Sequence, residues 1–200
     1  MTSNYLEQYK RLLSIAEAGL FYGKDAFDKE RYEELKEIAL ELISDVGNEP
    51  IEKLESIVSA NEGYPTPKID VRAYIKEDNK ILLVEDFPTK EWALPGGYAE
   101  IGLTPKESII KEVFEETGLI VDQCDLIAVF DTNLRKDIPQ LFQYYKLVFS
   151  CTVAGGTFKE NIETSAVGFF DLENLPKLSK NRTTKEQLLE LSTSTSIYCE

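Results

Sequence analysis

The run Leu94-Pro95-Gly96-Gly97 and the residues that follow it to Leu119 constrain this chain more than any other stretch. A double glycine makes a tight turn, Thr104 can cap a helix, Pro105 suits a first helical turn that needs no N–H, and Gly118 can end it in a left-handed conformation. The helix so bounded carries Glu112, Glu115 and Glu116. Residues three and four apart share a helix face, so the three carboxylates project side by side. Like charges at that spacing repel by roughly 0.2–0.5 kcal/mol per pair, so either solvent screens them or a cation occupies the space between them. Magnesium fits such a space, being a hard ion that takes carboxylate oxygens together with phosphate oxygens. The competing reading is a solvated acidic face.

Composition narrows the chemistry. The chain of 200 residues contains no histidine, which removes imidazole metal sites and the Ser-His and Cys-His nucleophile pairs. Acid–base work therefore falls to carboxylates, lysine or tyrosine. Cys124, Cys151 and Cys199 are odd in number and show no Cys-x-x-Cys spacing, which argues for reduced thiols rather than a disulfide framework or zinc site. The net charge of −14 repels polyphosphate backbones and so disfavours non-specific nucleic-acid binding. An anionic ligand would need local rescue by cations. No apolar run approaches the roughly 18 residues of a membrane span, and the N-terminus lacks the features of a signal peptide, so a cytoplasmic location with no membrane partner is expected.

Along the chain, Tyr5, Tyr9, Leu12, Leu13, Ala16 and Leu20 repeat at helical spacing, as do Tyr32, Leu35, Ala39, Leu42 and Val46. Gly23 and Gly47 punctuate these helices, and a third short helix is expected from Pro50, turning Ile51, Leu54 and Ile57 inward. Residues 61–68, with one glycine and two prolines, mark a boundary. The expected organisation is a helical extension over 1–63 and a main domain over 64–200. From Ile69 the period becomes two, and Val71, Ala73 and Ile75 read as a strand joined through Asp78-Asn79 to a second strand at 80–85. Further strands are expected at 124–132, 141–153 and 166–171, and a last helix at 183–192, with the Ser/Thr-rich 192–196 fraying.

Residues 97–119 resemble the Nudix box: Gly97, Glu112, Val113, Glu115, Glu116, Gly118 and Leu119 match its loop–helix pattern, as do the preceding Leu94-Pro95-Gly96 and the separated Glu100 and Gly102. With strands in the family's order on both sides, the likeness runs from about Val71 to Leu189. It implies an α/β fold, the Nudix-type α/β/α sandwich with a mixed sheet, preceded here by the small N-terminal helical extension. Two positions depart from the pattern. Leu103 stands where the box usually has glutamate, and Lys111 where it usually has arginine. The first removes an outer helper carboxylate; the second keeps the charge but loses the planar fork, although Lys111 can approach Glu115 one turn later.

The activity implied by the resemblance is attack of a metal-activated water on a nucleoside diphosphate linked to a group X. Glu112, Glu116 and the carbonyl near Gly96 would hold Mg2+ or Mn2+, with Glu115 completing the acidic cluster. The general base would be Glu112 or Glu163, the latter in Glu160-Asn-Ile-Glu163. Trp92, Tyr98 and Phe130 are candidates for stacking on a substrate, against the alternative that they fill the core, and Glu100 is a candidate contact. The extension resembles that of a bacterial subgroup described as CDP-choline or ADP-ribose pyrophosphatases, most closely over Gly23–Tyr32. Arg135 stands where many ADP-ribose-specific relatives have proline, which points mildly toward another X such as phosphocholine. A homodimer through the extension is expected, with a folded-back monomer as the alternative. A nucleotide-sensing module without turnover is the competing functional reading.

Overall fold

A computed structural model describes residues 3–47, 50–51, 54, 64–135, 138, 140 and 142–200. The chain forms two compact units, Met1–Pro67 with Asn133–Gln143, and Lys68–Thr132 with Tyr144–Glu200.

The first unit is a helix pair, α1 (Ser3–Tyr22) and α2 (Ala26–Gly47). Gly23 closes α1 by donating its N–H to the Gly19 carbonyl at 2.7 Å, and the Asp25 carboxylate opens α2 by accepting from Phe27 and Asp28. Leu6, Leu13, Ala39, Leu40, Ile43 and Leu54 form its core. Leu13 and Ala16 are buried as expected and Tyr9 and Leu12 pack at the margin, but at the start of α1 Leu6 rather than Tyr5 faces inward. Of the expected third helix, Ile51 and Leu54 are helical and Leu54 is fully buried, whereas Ile57 lies outside the described residues. The Lys10 ammonium donates to Glu7, to Asn133 Oδ1 and to the Gln140 carbonyl, which ties α1 to the 133–143 connection within this unit.

The second unit contains β1 (Lys68–Glu77), β2 (Lys80–Asp86), β3 (Trp92–Ala93), α3 (Pro105–Thr117), β4 (Leu119–Asp131), β5 (Tyr144–Gly156), β6 (Thr164–Phe170), α4 (Lys185–Thr193) and β7 (Tyr198–Cys199). The β1–β2 turn uses Asp78 and Asn79 at φ 46° and 67°, the left-handed region those side chains tolerate. The sheet runs β3-β2-β1-β5-β4-β7, with β6 also pairing β2. It is mixed: β1 lies parallel to β5, β7 parallel to β4, and the other pairs are antiparallel.

Alternation along the strands sends side chains to two cores, one under each helix. Val71, Ala73, Ile75 and Leu82 meet Ile109 and Val113 of α3, while Tyr74, Ile81 and Leu83 meet Leu188 and Leu191 of α4. This is the expected α/β/α sandwich. The structure extends the sequence reading in three places. Strand β4 starts directly after Gly118 rather than at 124. The hydroxyls of Ser192 and Thr193 donate to the Leu189 carbonyl, so α4 keeps its order to Thr193 instead of fraying at 192. Beyond it, β7 joins the sheet and Tyr198 packs on Phe130 with ring centroids 5.4 Å apart. No helix among the described residues is long and apolar enough to cross a membrane.

Candidate functional site

Helix α3 is fixed at both ends by the residues that announce it. Thr104 and Glu107 form a reciprocal capping box, Pro105 opens the first turn, and Gly118 at φ 70° closes the last with its N–H on the Phe114 carbonyl. Ile109 and Val113 are fully buried; Glu116, one turn on from Val113, is buried on the same side of the helix, Glu112 lies beside it and half-buried, and Glu115 points to solvent. That turn is laid against β1: the Pro95 carbonyl accepts from Ala73 N–H and the Gly97 carbonyl from Val71 N–H, both at 2.8 Å. Between them, the Gly96 N–H donates to Glu116 Oε2 at 2.7 Å.

Neither glycine has free room for a Cβ. Gly96 has φ 134°, and a Cβ there would run into the Val71 carbonyl. A Cβ on Gly97 would stand 2.9 Å from both carboxylate oxygens of Glu112. Glu112 and Glu116 therefore close on the turn from α3. Burial lifts Glu116 to about 7; the Arg72 guanidinium and the Gly96 N–H pull the other way, and Glu112 pushes it further up. Glu112 is raised as well, first by burial, then by Glu115 and Glu163, against the pull of Arg72.

Two poorly solvated carboxylates that repel each other, beside the Gly96-Gly97 turn, offer oxygen donors suited to a hard divalent cation. Among the described residues no three carboxylates converge on one point. Glu115 is half-exposed and pairs with Lys111 at 3.4 Å, while Lys111 also holds Glu100 Oε1 at 2.5 Å. The lysine at the usual arginine position thus bridges two acids. A small divalent ion needs only one or two carboxylates when substrate phosphates complete its shell, so Glu112, Glu116 and the Gly96 carbonyl fit it without Glu115.

The other sequence candidates separate. Glu163 is exposed; Asn161 Oδ1 accepts its N–H, and Asn161 Nδ2 donates to the Glu115 carbonyl at 3.0 Å, so its loop is tied to the end of α3. Its charge is felt by Glu112. Tyr98 is largely exposed and stacks on Tyr144 with centroids 5.6 Å apart and hydroxyls 3.3 Å apart. Trp92 packs edge-on against Phe170 and is half-buried. Phe130, a candidate for stacking, takes the core alternative instead: it is 2% exposed and packed among the core residues under α4, so it offers no face to a ligand.

Four charged residues beneath the site escaped the sequence reading. Arg72 grips Asp70 with two nitrogens, at 2.7 and 3.1 Å, and donates a third bond to the Leu94 carbonyl at 3.1 Å. Lys146 donates to Asp70 Oδ2 and to the carbonyls of Asn181 and Arg182. Arg182 pairs with Asp86 at 2.8 Å. Asp70 is held below the ordinary carboxylate range because its two cations outweigh burial, whereas burial lowers Lys146 to about 8. The available signal was charge at alternate positions of an apolar strand, Asp70 and Arg72, covered on both faces.

Residues 66–191 match the NUDIX domain family, and residues 3–58 match a family described as a UDP-X-like, N-terminal oligomerisation domain. A Bacillus subtilis (strain 168) protein described as putative ADP-ribose pyrophosphatase YjhB is 40% identical over 93% of this chain and 89% of its own length. The ADP-ribose pyrophosphatase of Methanocaldococcus jannaschii is 39% identical over 58% of this chain and 69% of its own. The crystal structure of a UDP-X diphosphatase superposes with a TM-score of 0.65 at 39% identity, covering 100% of this chain and 99% of that one.

Proposed function

This chain belongs to the Nudix hydrolase family, and we propose that it cleaves a nucleoside diphosphate linked to a small group X, of the ADP-ribose or CDP-choline type, into a nucleoside monophosphate and phospho-X. The observation that carries the reading is the closure of Glu112 and Glu116 on the Gly96-Gly97 turn. The relatives named as ADP-ribose pyrophosphatases and the UDP-X diphosphatase neighbour support the class of substrate.

Glu112, Glu116 and the Gly96 carbonyl are the proposed holders of Mg2+ or Mn2+. A bound ion of this kind supplies Lewis acidity and lowers the pKa of water. Glu115, steadied by Lys111, keeps the cluster acidic from its exposed side. Glu163 is the proposed base: its carboxylate takes the proton as water attacks phosphorus and the bridging P–O bond breaks, the leaving phosphate departing with that oxygen. Glu112, the alternative base, is already committed to the cation. Tyr98, backed by Tyr144, offers a ring face to the base or sugar, with Trp92 and Glu100 as further proposed contacts.

The extension is proposed to join two copies into a homodimer. Its match to an oligomerisation domain and the exposed Phe21, Tyr22 and Phe27 around its helix turn support this. Buried free thiols at Cys124 and Cys151 are in keeping with a reducing, cytoplasmic setting.

The test is incubation of the purified protein with magnesium or manganese and a panel of ADP-ribose, CDP-choline, UDP-linked sugars and nucleoside triphosphates, with products resolved by chromatography. Release of a nucleoside monophosphate and phospho-X from one panel member is expected. Tight binding without cleavage of any member would replace the hydrolase reading with the sensing one.

A further inference from the structure

The segment around Arg182 is fastened more firmly than a connecting loop requires. Ser179 N–H donates to the Trp92 carbonyl, Arg182 and Thr183 N–H both return to the Ser179 carbonyl, and Leu94 N–H donates to Thr183 Oγ1 at 2.9 Å. Leu94 is two residues from Gly96, so this segment is fastened to the stretch that leads into the turn of the site. From beneath, Lys146 donates to the Asn181 and Arg182 carbonyls at 3.1 and 2.8 Å.

Lys146 is buried, and an ammonium has three donors. One goes to Asp70, and the other two go to this segment. Asp70 is already neutralised by the two-pronged grip of Arg72, so charge balance does not call for a second buried cation. Its bonds instead fix the backbone that carries Arg182. The Arg182 side chain keeps 42% of its surface exposed, and its Nη1 meets Asp86 Oδ1 at 2.8 Å. Asp86 is itself held by the N–H and hydroxyl of Thr89, so the guanidinium is anchored at one corner with donors left over toward solvent. Its charge reaches Glu116 across the site.

We propose that Arg182 is a substrate-contacting residue that binds a phosphate of the nucleoside diphosphate, and that Lys146 is its positioning residue. The inference rests on the hydrolase reading above. An acidic chain that must admit a pyrophosphate gains from a fixed guanidinium, whose planar fork matches phosphate oxygens and needs no metal to attract them. Arg182 engages the anion, while Glu112 and Glu116 engage the cation; the two functions are separable.

The experiment compares wild type with Arg182→Gln, Arg182→Lys, Lys146→Met and the Arg182→Gln/Lys146→Met double variant. Steady-state kcat and KM are measured on the panel member that wild type cleaves, together with Mn2+ binding by electron paramagnetic resonance and thermal melting. Loss of a charge-assisted contact is expected to raise KM by roughly 10- to 100-fold in Arg182→Gln, with kcat and Mn2+ affinity within a few-fold of wild type. Arg182→Lys recovers part of the loss. Lys146→Met raises KM in the same direction, and the double variant is no worse than Arg182→Gln alone. An unchanged KM in folded Arg182→Gln overturns the contact, and full additivity in the double variant overturns the positioning. If Lys146→Met does not fold, Lys146→Arg takes its place, with the same requirement of non-additivity. If wild type cleaves no panel member, the hydrolase reading falls by itself, and magnesium pyrophosphate binding by calorimetry decides the anion contact: weakened in Arg182→Gln it stands, unchanged it falls.

Discussion

Glu116 and Gly96 are twenty residues apart in sequence, and the glycine N–H donates to the carboxylate Oε2 at 2.7 Å. This bond joins the second acidic turn of α3 to the turn before it. A buried carboxylate with one backbone donor keeps lone pairs in need of a partner, which is the state a divalent cation relieves.

Glu116→Gln should fold, because the amide oxygen can still accept from Gly96, yet it removes the charge the cation needs. Metal-dependent turnover is predicted to fall by more than the ~10–100-fold typical of residues that only support a ligand. Turnover near the wild-type rate would remove Glu116 from the metal set.

The same residue sets a pH signature in metal-free protein. Glu116 stands at about 7 against 4.5 in an unstructured chain, so between these values the folded state binds a proton that the unfolded chain has lost. Stability therefore falls as pH rises through that window, by at most about 3 kcal/mol. Melting with chelator present should show wild type losing ground to Glu116→Gln from about pH 5 to about pH 7, with magnesium reversing part of the loss. Parallel curves would contradict this.

Gly96→Ala and Gly97→Ala should differ in kind. The first meets backbone at a left-handed φ and is predicted to destabilise the fold by several kcal/mol, on the order of other strained positions with a backbone clash. The second meets only the movable end of Glu112, so melting should change little while Mn2+ affinity drops. Equal melting losses for both would show that the turn tolerates no Cβ at either position.

Lys111 stands for arginine and bridges Glu100 to Glu115 in solvent. Lys111→Met is predicted to lower turnover by roughly 10-fold through a less well-placed Glu115, and Lys111→Arg to match or exceed wild type. Little change in melting is expected for either, since exposed ion pairs contribute little. Equal turnover in both variants would make the bridge incidental.

Much of the fold was legible because its signals are local. Thr104, Pro105 and Gly118 bound α3 wherever the rest of the chain lies, and the alternation from Val71 to Ile75 marks β1 without knowledge of its partners. What depended on distant partners was not legible. Strand β7 is two residues long and exists because β4 is there to pair with it. Phe130, a candidate stacking ring with a core role as the alternative, is settled as core once Tyr198 is seen against it. Within the site, the spacing of Glu112 and Glu116 was visible, but Asp70 and Arg72 of β1, Lys146 of β5 and Arg182 of the loop before α4 come from three separate stretches that only the folded chain assembles. Helical period alone placed Tyr5 inward; packing against α2 chose Leu6.

The most direct test of the account is a paired titration of Mn2+ into wild type and Glu116→Gln, followed by electron paramagnetic resonance, with hydrolysis of the same samples measured on the cleaved nucleoside diphosphate–X. The account predicts that Mn2+ binding and turnover are lost together in the variant while melting shows it folded. Mn2+ binding and turnover preserved in Glu116→Gln would contradict it.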